Sequence, residues 1–262
     1  MHPAAGIVVE HSGEGIVTIR LDRPERLNAL GVDMVDALQA AITDAITTRA
    51  RVVLVRGSGR AFCAGADLKE RRTMSDAARV KHNRAINAAI DALAAAPMPT
   101  VCTINGLALG GGCEIALACD LRYAVEDAQI GLTEARIGAI PGAGGTQRLP
   151  RIVGAARALE LMLTGEPVTG RRAQEIGLVH AAVAATELDA HVMRVATVLA
   201  SRSPTGAAAI KRLVHRGLET TLADGLGLEA AAVREVLASS DYAEGLAAFS
   251  QKRKPRFGGG AT

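Results

Sequence analysis

Two glycine-rich runs in this chain are each tied to a glutamate. One is Asn105-Gly106-Leu107-Ala108-Leu109-Gly110-Gly111-Gly112-Cys113-Glu114, and the other runs from Thr133-Glu134-Ala135-Arg136 through Pro141-Gly142-Ala143-Gly144-Gly145 to Arg148. Glycine lets a backbone approach a ligand closely and present bare N–H groups. A carboxylate beside such a turn can move protons. Together they point to acid/base chemistry on a carbonyl compound. Gly110-Gly111-Gly112 falls between an apolar run and a helical one. A helix N-terminus there offers unpaired N–H groups and partial positive charge, which stabilise an oxyanion as it forms. A second donor is expected from Phe62-Cys63-Ala64-Gly65-Ala66-Asp67-Leu68. The same spacing also fits two tight strand-to-helix turns with no ligand. Glu114 sits in an apolar helix start, where a charge is costly without a role or a partner; a carboxylate favoured by the helix dipole is the alternative. For Glu134 the alternative is a surface ion pair with Arg136 or Arg148.

Other chemistries lack their residues. A dinucleotide fingerprint fails because Gln147 and Phe62 occupy the third glycine position of the two candidate runs, and Cys113-Glu114 replaces the Gly-Lys-Ser/Thr of a P-loop. No GxSxG elbow is present. Cys63, Cys102, Cys113 and Cys119 form no CxxC, which argues against zinc or a disulfide framework, and Cys102 and Cys119 read as small core residues. The six histidines have no ligand-like spacing and read as surface or core-edge residues, so no metal is expected. Asp67 and Asp120 read as caps or loop-holding acceptors.

The elements that must position these residues follow from periodicity. Ile7–Glu10 and Ile16–Leu21 form a hairpin around Ser12-Gly13-Glu14-Gly15, and Val52–Val55 and Thr100–Ile104 are further strands. Apolar spacing predicts helices over Asp33–Thr47, Ala77–Ala95 and Cys113–Ala118. Alternating strands and helices favour an α/β sheet with crossover helices. From about residue 155 the pattern turns helical, with segments at Ala155–Leu163, Arg171–Ile176, Leu188–Ala200, Thr205–Arg216 and Leu226–Leu237.

The bulk properties exclude more than they specify. A chain of 262 residues can bury one large core, and a net charge of +3 is too mild for a nucleic-acid protein. With no Trp, two Tyr and three Phe, a flat ligand ring must be held mostly by aliphatic side chains and backbone. Met1-His2-Pro3-Ala4-Ala5-Gly6 does not read as a signal peptide, and no apolar run has the length of a membrane span, so a cytoplasmic setting is expected.

The order of the motifs resembles the crotonase superfamily, and most of all the enoyl-CoA hydratases. The resemblance rests on Leu21-Asp22-Arg23-Pro24, Leu27-Asn28-Ala29-Leu30, Ala61–Leu68, Asn105–Glu114, Ile140–Leu149 and Ala248–Pro255. It implies an α/β spiral of repeated ββα units with a helical C-terminal trimerisation region, divided near 1–195 and 196–262, assembled as a trimer or a dimer of trimers. It implies an acyl-CoA thioester substrate and no separate cofactor, CoA being part of the substrate. Carried over, the oxyanion donors are the N–H groups of Ala64 and Gly111, and the two catalytic carboxylates are Glu114 and Glu134. The CoA site is carried over to Arg26, Leu27, Ala29, Ala64, Ala66, Asp67 and Leu68, together with the oxyanion-loop Gly111. Lys252 either reaches the CoA of a neighbouring subunit or belongs to a solvated basic tail. Thr133 departs from the proline common in relatives, and Arg71-Arg72 to His82 forms the variable segment bordering the acyl pocket. The implied reaction is reversible syn hydration of a 2-enoyl-CoA to a 3-hydroxyacyl-CoA. The alternatives are a methylglutaconyl-type hydratase, an enoyl-CoA isomerase, or a non-catalytic CoA-ester-binding protein.

Overall fold

A computed structural model describes residues 6–258. Met1–Ala5, read for a leader, and the glycines Gly259 and Gly260 of the tail lie outside that range. The hairpin is formed by β1 (Ile7–Ser12) and β2 (Ile16–Leu21), followed by α1 (Val32–Thr47). Three turns of a spiral follow. The first is β3 (Val52–Gly57), β4 (Ala61–Cys63), the short α2 (Leu68–Arg71) and α3 (Asp76–Ala95). The second is β5 (Thr100–Ile104), β6 (Leu107–Leu109) and α4 (Gly111–Ala118). The third is β7 (Leu121–Val125), β8 (Gln129–Gly131), a 3-10 turn at Glu134–Ile137 and α5 (Gly145–Val153). Then come α6 (Ala155–Thr164), β9 (Val168–Thr169), α7 (Gly170–Glu175), β10 (Ala181–Val183), α8 (Leu188–Ala200), α9 (Pro204–Gly217), α10 (Leu222–Leu237) and α11 (Ser240–Ser250).

Each spiral turn gives one strand to each of two sheets. The larger sheet has the order β1-β2-β3-β5-β7-β10, parallel throughout except for the β1–β2 hairpin. The smaller has the order β4-β6-β8-β9, with β4, β6 and β8 parallel. The ββα spiral expected from the motifs is thus the observed architecture. β3 opens with the apolar run Val52–Val55 and β5 is buried throughout, its Thr100 and Thr103 included, because both faces of the sheet are covered. α8 packs on the larger sheet and buries Leu188, Val192, Ala196 and Ala200, so the core runs on to the end of this helix. Beyond it, α9–α11 leave large apolar side chains exposed, among them Ile210, Leu218, Leu222 and Phe249.

All four thiols are free and buried in the core. Asp120 acts as the acceptor expected of it, receiving the Thr100 N–H at 2.8 Å and hydroxyl at 2.9 Å. Asn28 has no exposed surface; it takes a left-handed φ of 55° and donates from Nδ2 to the carbonyls of Ser58, Ala61 and Phe62. It thereby pins the loop that follows the β1–β2 hairpin to the strand leading into the site. Among the described residues, no helix is long and apolar enough to cross a membrane.

Candidate active site

Three backbone segments leave the C-terminal ends of β4, β6 and β8 side by side. They carry Ala64–Ala66, Gly110–Gly111 and Thr133–Glu134, and the parallel pairing of the smaller sheet brings them together. Gly110 N–H donates to the Gly131 carbonyl at 2.9 Å, fixing the second segment against the third. Gly65 takes a φ of +88°, and a Cβ built on it would stand 2.8 Å from the Leu109 carbonyl oxygen and 3.1 Å from Gly111 N. Only a glycine tolerates both the conformation and the approach. Gly112 is confined likewise, since a Cβ there would land on the Cys63 carbonyl.

This close approach sets the available N–H groups. Gly111 is the first residue of α4 and has no helical acceptor four residues back. Ala64 N–H, expected to be the other donor, is already given to the Leu27 carbonyl at 3.0 Å. Ala66 is the correction. A bridge to Leu30 uses the Gly65 carbonyl and the Asp67 N–H, which leaves the Ala66 N–H between them without an acceptor among the described residues. Ala66 N lies 3.8 Å from where a Gly111 Cβ would be. The loop therefore faces Gly111 with the residue after Gly65, not the one before it.

Glu114, three residues into α4, is 3% exposed. Its Oε1 accepts the N–H groups of Ala143 at 2.6 Å and Gly145 at 2.9 Å, so the second glycine run exists to hold the first run's carboxylate. Burial raises its pKa, opposed by those two N–H groups and by Arg148 and Arg71. The 141–145 loop is anchored from outside as well. Asn83 and Asn87 of α3 both donate to the Gly142 carbonyl, and Arg148 donates to the Ala143 carbonyl at 2.9 Å.

Glu134 begins the 3-10 turn after β8, and its Oε1 lies 3.0 Å from where a Gly110 Cβ would be. Its Oε2 is buried with no hydrogen-bond partner among the described residues. Burial, with a smaller push from Glu114, raises its pKa to about 7. Among the described residues it forms no ion pair: Arg136 turns to Glu166, and Arg148 reaches Asp91 at 2.7 Å.

The segment 26–30 is stitched to the 64–67 loop by the Ala64, Leu30 and Asp67 N–H bonds, which places Arg26, Leu27 and Ala29 along its edge. Asp67 is buried and caps α2, accepting from the N–H groups of Lys69 and Glu70, with Arg26 Nη1 4.0 Å away. Leu68 is half exposed beside it. Lys252 stands exposed in the turn after α11, and no hydrogen bond or ion pair joins it to this loop. The variable segment is largely helical, formed by α2 and the start of α3. His82, read as a surface or core-edge residue, is buried at 3% exposure, because α3 turns it inward to accept from Arg71 Nε at 3.3 Å. Arg71, Asn83 and Asn87 were not singled out as site residues by sequence reasoning. Two asparagines four residues apart on a helix, alternating with the apolar Ile86 and Ile90, were the available signal.

The comparisons with known proteins show the family. The Enoyl-CoA hydratase/isomerase family profile matches residues 11–260. The human enoyl-CoA hydratase domain-containing protein 2 is 42% identical over 252 residues, covering 94% of this chain and 86% of that protein. The human methylglutaconyl-CoA hydratase is 38% identical over 258 residues, covering 96% and 76%. The crystal structure of an enoyl-CoA hydratase from Bacillus anthracis superposes with a TM-score of 0.94 at 39% identity, covering 97% of this chain and 99% of that one. With a ββα spiral and these relatives over nearly its whole length, the chain belongs to the enoyl-CoA hydratase/isomerase family of the crotonase superfamily.

Proposed function

We propose that this protein is an enoyl-CoA hydratase, adding water reversibly and with syn geometry to a 2-enoyl-CoA to give a 3-hydroxyacyl-CoA. The observation that carries this reading is the convergence of two differently held carboxylates on two N–H groups without acceptors. The thioester oxygen binds the N–H groups of Gly111 and Ala66. Polarised there, the carbonyl draws electron density from Cβ and opens it to attack. Glu114 spends one oxygen on Ala143 and Gly145. Its other oxygen accepts a proton from water as the water oxygen bonds to Cβ. Glu134, with a pKa of about 7, is substantially protonated at neutral pH, and delivers that proton from its unpartnered oxygen to Cα. Double-bond migration needs a proton moved between Cα and Cγ and no bound water, so two carboxylates that sense each other's charge, one to take a proton from water and one to give a proton to Cα, favour hydration.

CoA enters as part of the substrate, along Arg26, Leu27, Ala29, Asp67 and Leu68. The exposed apolar side chains of α9–α11 support assembly into a trimer or a dimer of trimers, in which Lys252 would serve a neighbour's CoA. The test is loss of the conjugated enoyl-thioester absorbance of crotonyl-CoA in ¹⁸O-labelled water, with a Glu134→Gln control. Rapid loss with label at C3, in the wild type alone, supports hydration. Double-bond migration without label in a 3-enoyl substrate would replace it with isomerisation. Binding with no turnover of either substrate would leave a CoA-ester-binding protein.

A further inference from the structure

Arg71 is a cation at the site that the hydration steps do not use. It closes α2, the single helical turn that follows the Ala66 loop directly, and its N–H returns to the Asp67 carbonyl at 2.9 Å. Its guanidinium turns inward. Nε donates to His82 Nδ1 at 3.3 Å and Nη2 donates to Asn83 Oδ1 at 3.4 Å. Both contacts are long, and both acceptors are neutral; burial and the guanidinium itself push the His82 pKa down. A guanidinium carries five N–H donors, so most of this fork is left over.

Its charge is also unmatched. Among the described residues no carboxylate comes within 4.0 Å of it. Yet Glu114 and Glu134 are the two carboxylates whose charge it feels most. Asn83 fixes the wall on which it stands. One end of that amide receives Arg71, and the other donates to the Gly142 carbonyl at 3.1 Å, next to the Ala143 N–H that holds Glu114. Through Asn83 the guanidinium is tied to the loop that holds Glu114, and it meets the acyl chain beyond Cβ if the thioester oxygen lies at Gly111 and Ala66 and the chain runs past the glutamates toward α3.

A plain methylene tail in that position would strip water from a charged fork and return nothing. A carboxylate would meet it with paired, charge-assisted bonds. It would also need that cation to approach two site carboxylates. We propose that Arg71 selects acyl-CoA thioesters whose acyl chain ends in a second carboxylate, which rests on the placement of the thioester in the hydratase reading.

The test compares two saturated thioesters of equal chain length, glutaryl-CoA and pentanoyl-CoA, by calorimetric titration of the intact protein. Neither needs turnover, so the result stands apart from the hydration assay. Wild type should bind glutaryl-CoA roughly 10- to 100-fold more tightly, the worth of one or two hydrogen bonds to charge. Arg71→Met should bring that ratio to about one, and Arg71→Lys, which keeps charge without the fork, should give an intermediate value. Turnover of glutaconyl-CoA against 2-pentenoyl-CoA should follow the same ratio. A wild-type ratio near one, or a ratio unchanged in Arg71→Met, overturns the proposal and leaves hydration untouched. Preference for glutaryl-CoA with no hydration of any enoyl-CoA would overturn the hydratase reading and leave the selection by Arg71 in place.

Discussion

Glu114 offers a separation of catalysis from folding that follows from where its two oxygens go. Oε1 receives two buried N–H groups, from Ala143 and Gly145. In Glu114→Gln the amide oxygen can keep both bonds, because turning the NH₂ toward two donors would oppose them. That variant should fold at least as well as wild type, since it also removes a buried charge, while losing the base that takes a proton from water. Turnover should fall roughly 10²- to 10⁴-fold. In Glu114→Ala both donors lose their acceptor. Two unpaired buried N–H groups cost about 1–3 kcal/mol each, so about 2–6 kcal/mol in all. The deleted charge is common to both variants and cancels between them; for a chain of this size each kcal/mol is worth about 2–4 °C, which places the alanine variant roughly 4–24 °C below the glutamine variant. Thermal unfolding followed by circular dichroism, beside the crotonyl-CoA assay, measures both quantities. Equal melting temperatures for the two variants would refute the idea that the second glycine run is held by this carboxylate. A glutamine variant with near-normal turnover would refute its role as base.

Glu134 should impose a pH dependence of two kinds. Its pKa in the folded protein, about 7, exceeds its ordinary value of 4.5. The folded state therefore holds the proton more tightly, and this group's contribution should make stability fall as pH rises between those values; melting curves of Glu134→Gln should lack that component. Hydration, which uses the protonated acid, should decline in kcat/KM as pH passes about 7, and a profile flat to pH 9 would contradict this. Gly110→Ala forces a side chain into a φ of +51° and into contact with the Glu134 carboxylate, so turnover should drop on the order of 10²-fold with thioester binding retained, as read by titration and initial rates. Asn87→Ala removes one of the two side-chain donors on the Gly142 carbonyl; kcat should fall on the order of 10-fold with KM little changed, and an unaltered kcat would show that Asn83 alone holds the loop.

The large sheet and its helices were legible because their signals are long. Val52–Val55 is apolar on both faces, Thr100–Ile104 is rich in β-branched residues, and α1 and α3 repeat their apolar residues over several turns. The smaller sheet was not legible. β4, β6 and β8 are three residues each, too short to show any period, and they are the strands that aim the site loops. α5 was obscured by Pro150, which removes a helical donor from its interior. The glutamates could be picked out because a charge beside glycines in an apolar context is conspicuous. Choosing between Ala64 and Ala66 could not be done by type, since both are alanines flanking Gly65. Only the bond from Ala64 N–H to Leu27, set by the left-handed turn at Leu27 and Asn28, decides which of them is free. Asn83 was hidden because the Gly142 carbonyl it holds lies 59 residues on, and Arg71, though placed beside the acyl pocket, showed nothing of its inward turn toward His82 and Asn83.

The four buried thiols make the molecule a recorder of its own breathing. Cys63 directly precedes the Ala64–Ala66 loop and Cys113 directly precedes Glu114, so two of them mark the floor of the site. Burial pushes the Cys63 thiol up to about 12 and Cys113 higher still, leaving almost no thiolate at neutral pH. An alkylating reagent must then wait for the fold to part. Its reaction rate in the native protein reads how often the spiral opens beneath the glutamates, and an acyl-CoA that closes on those loops should slow that clock.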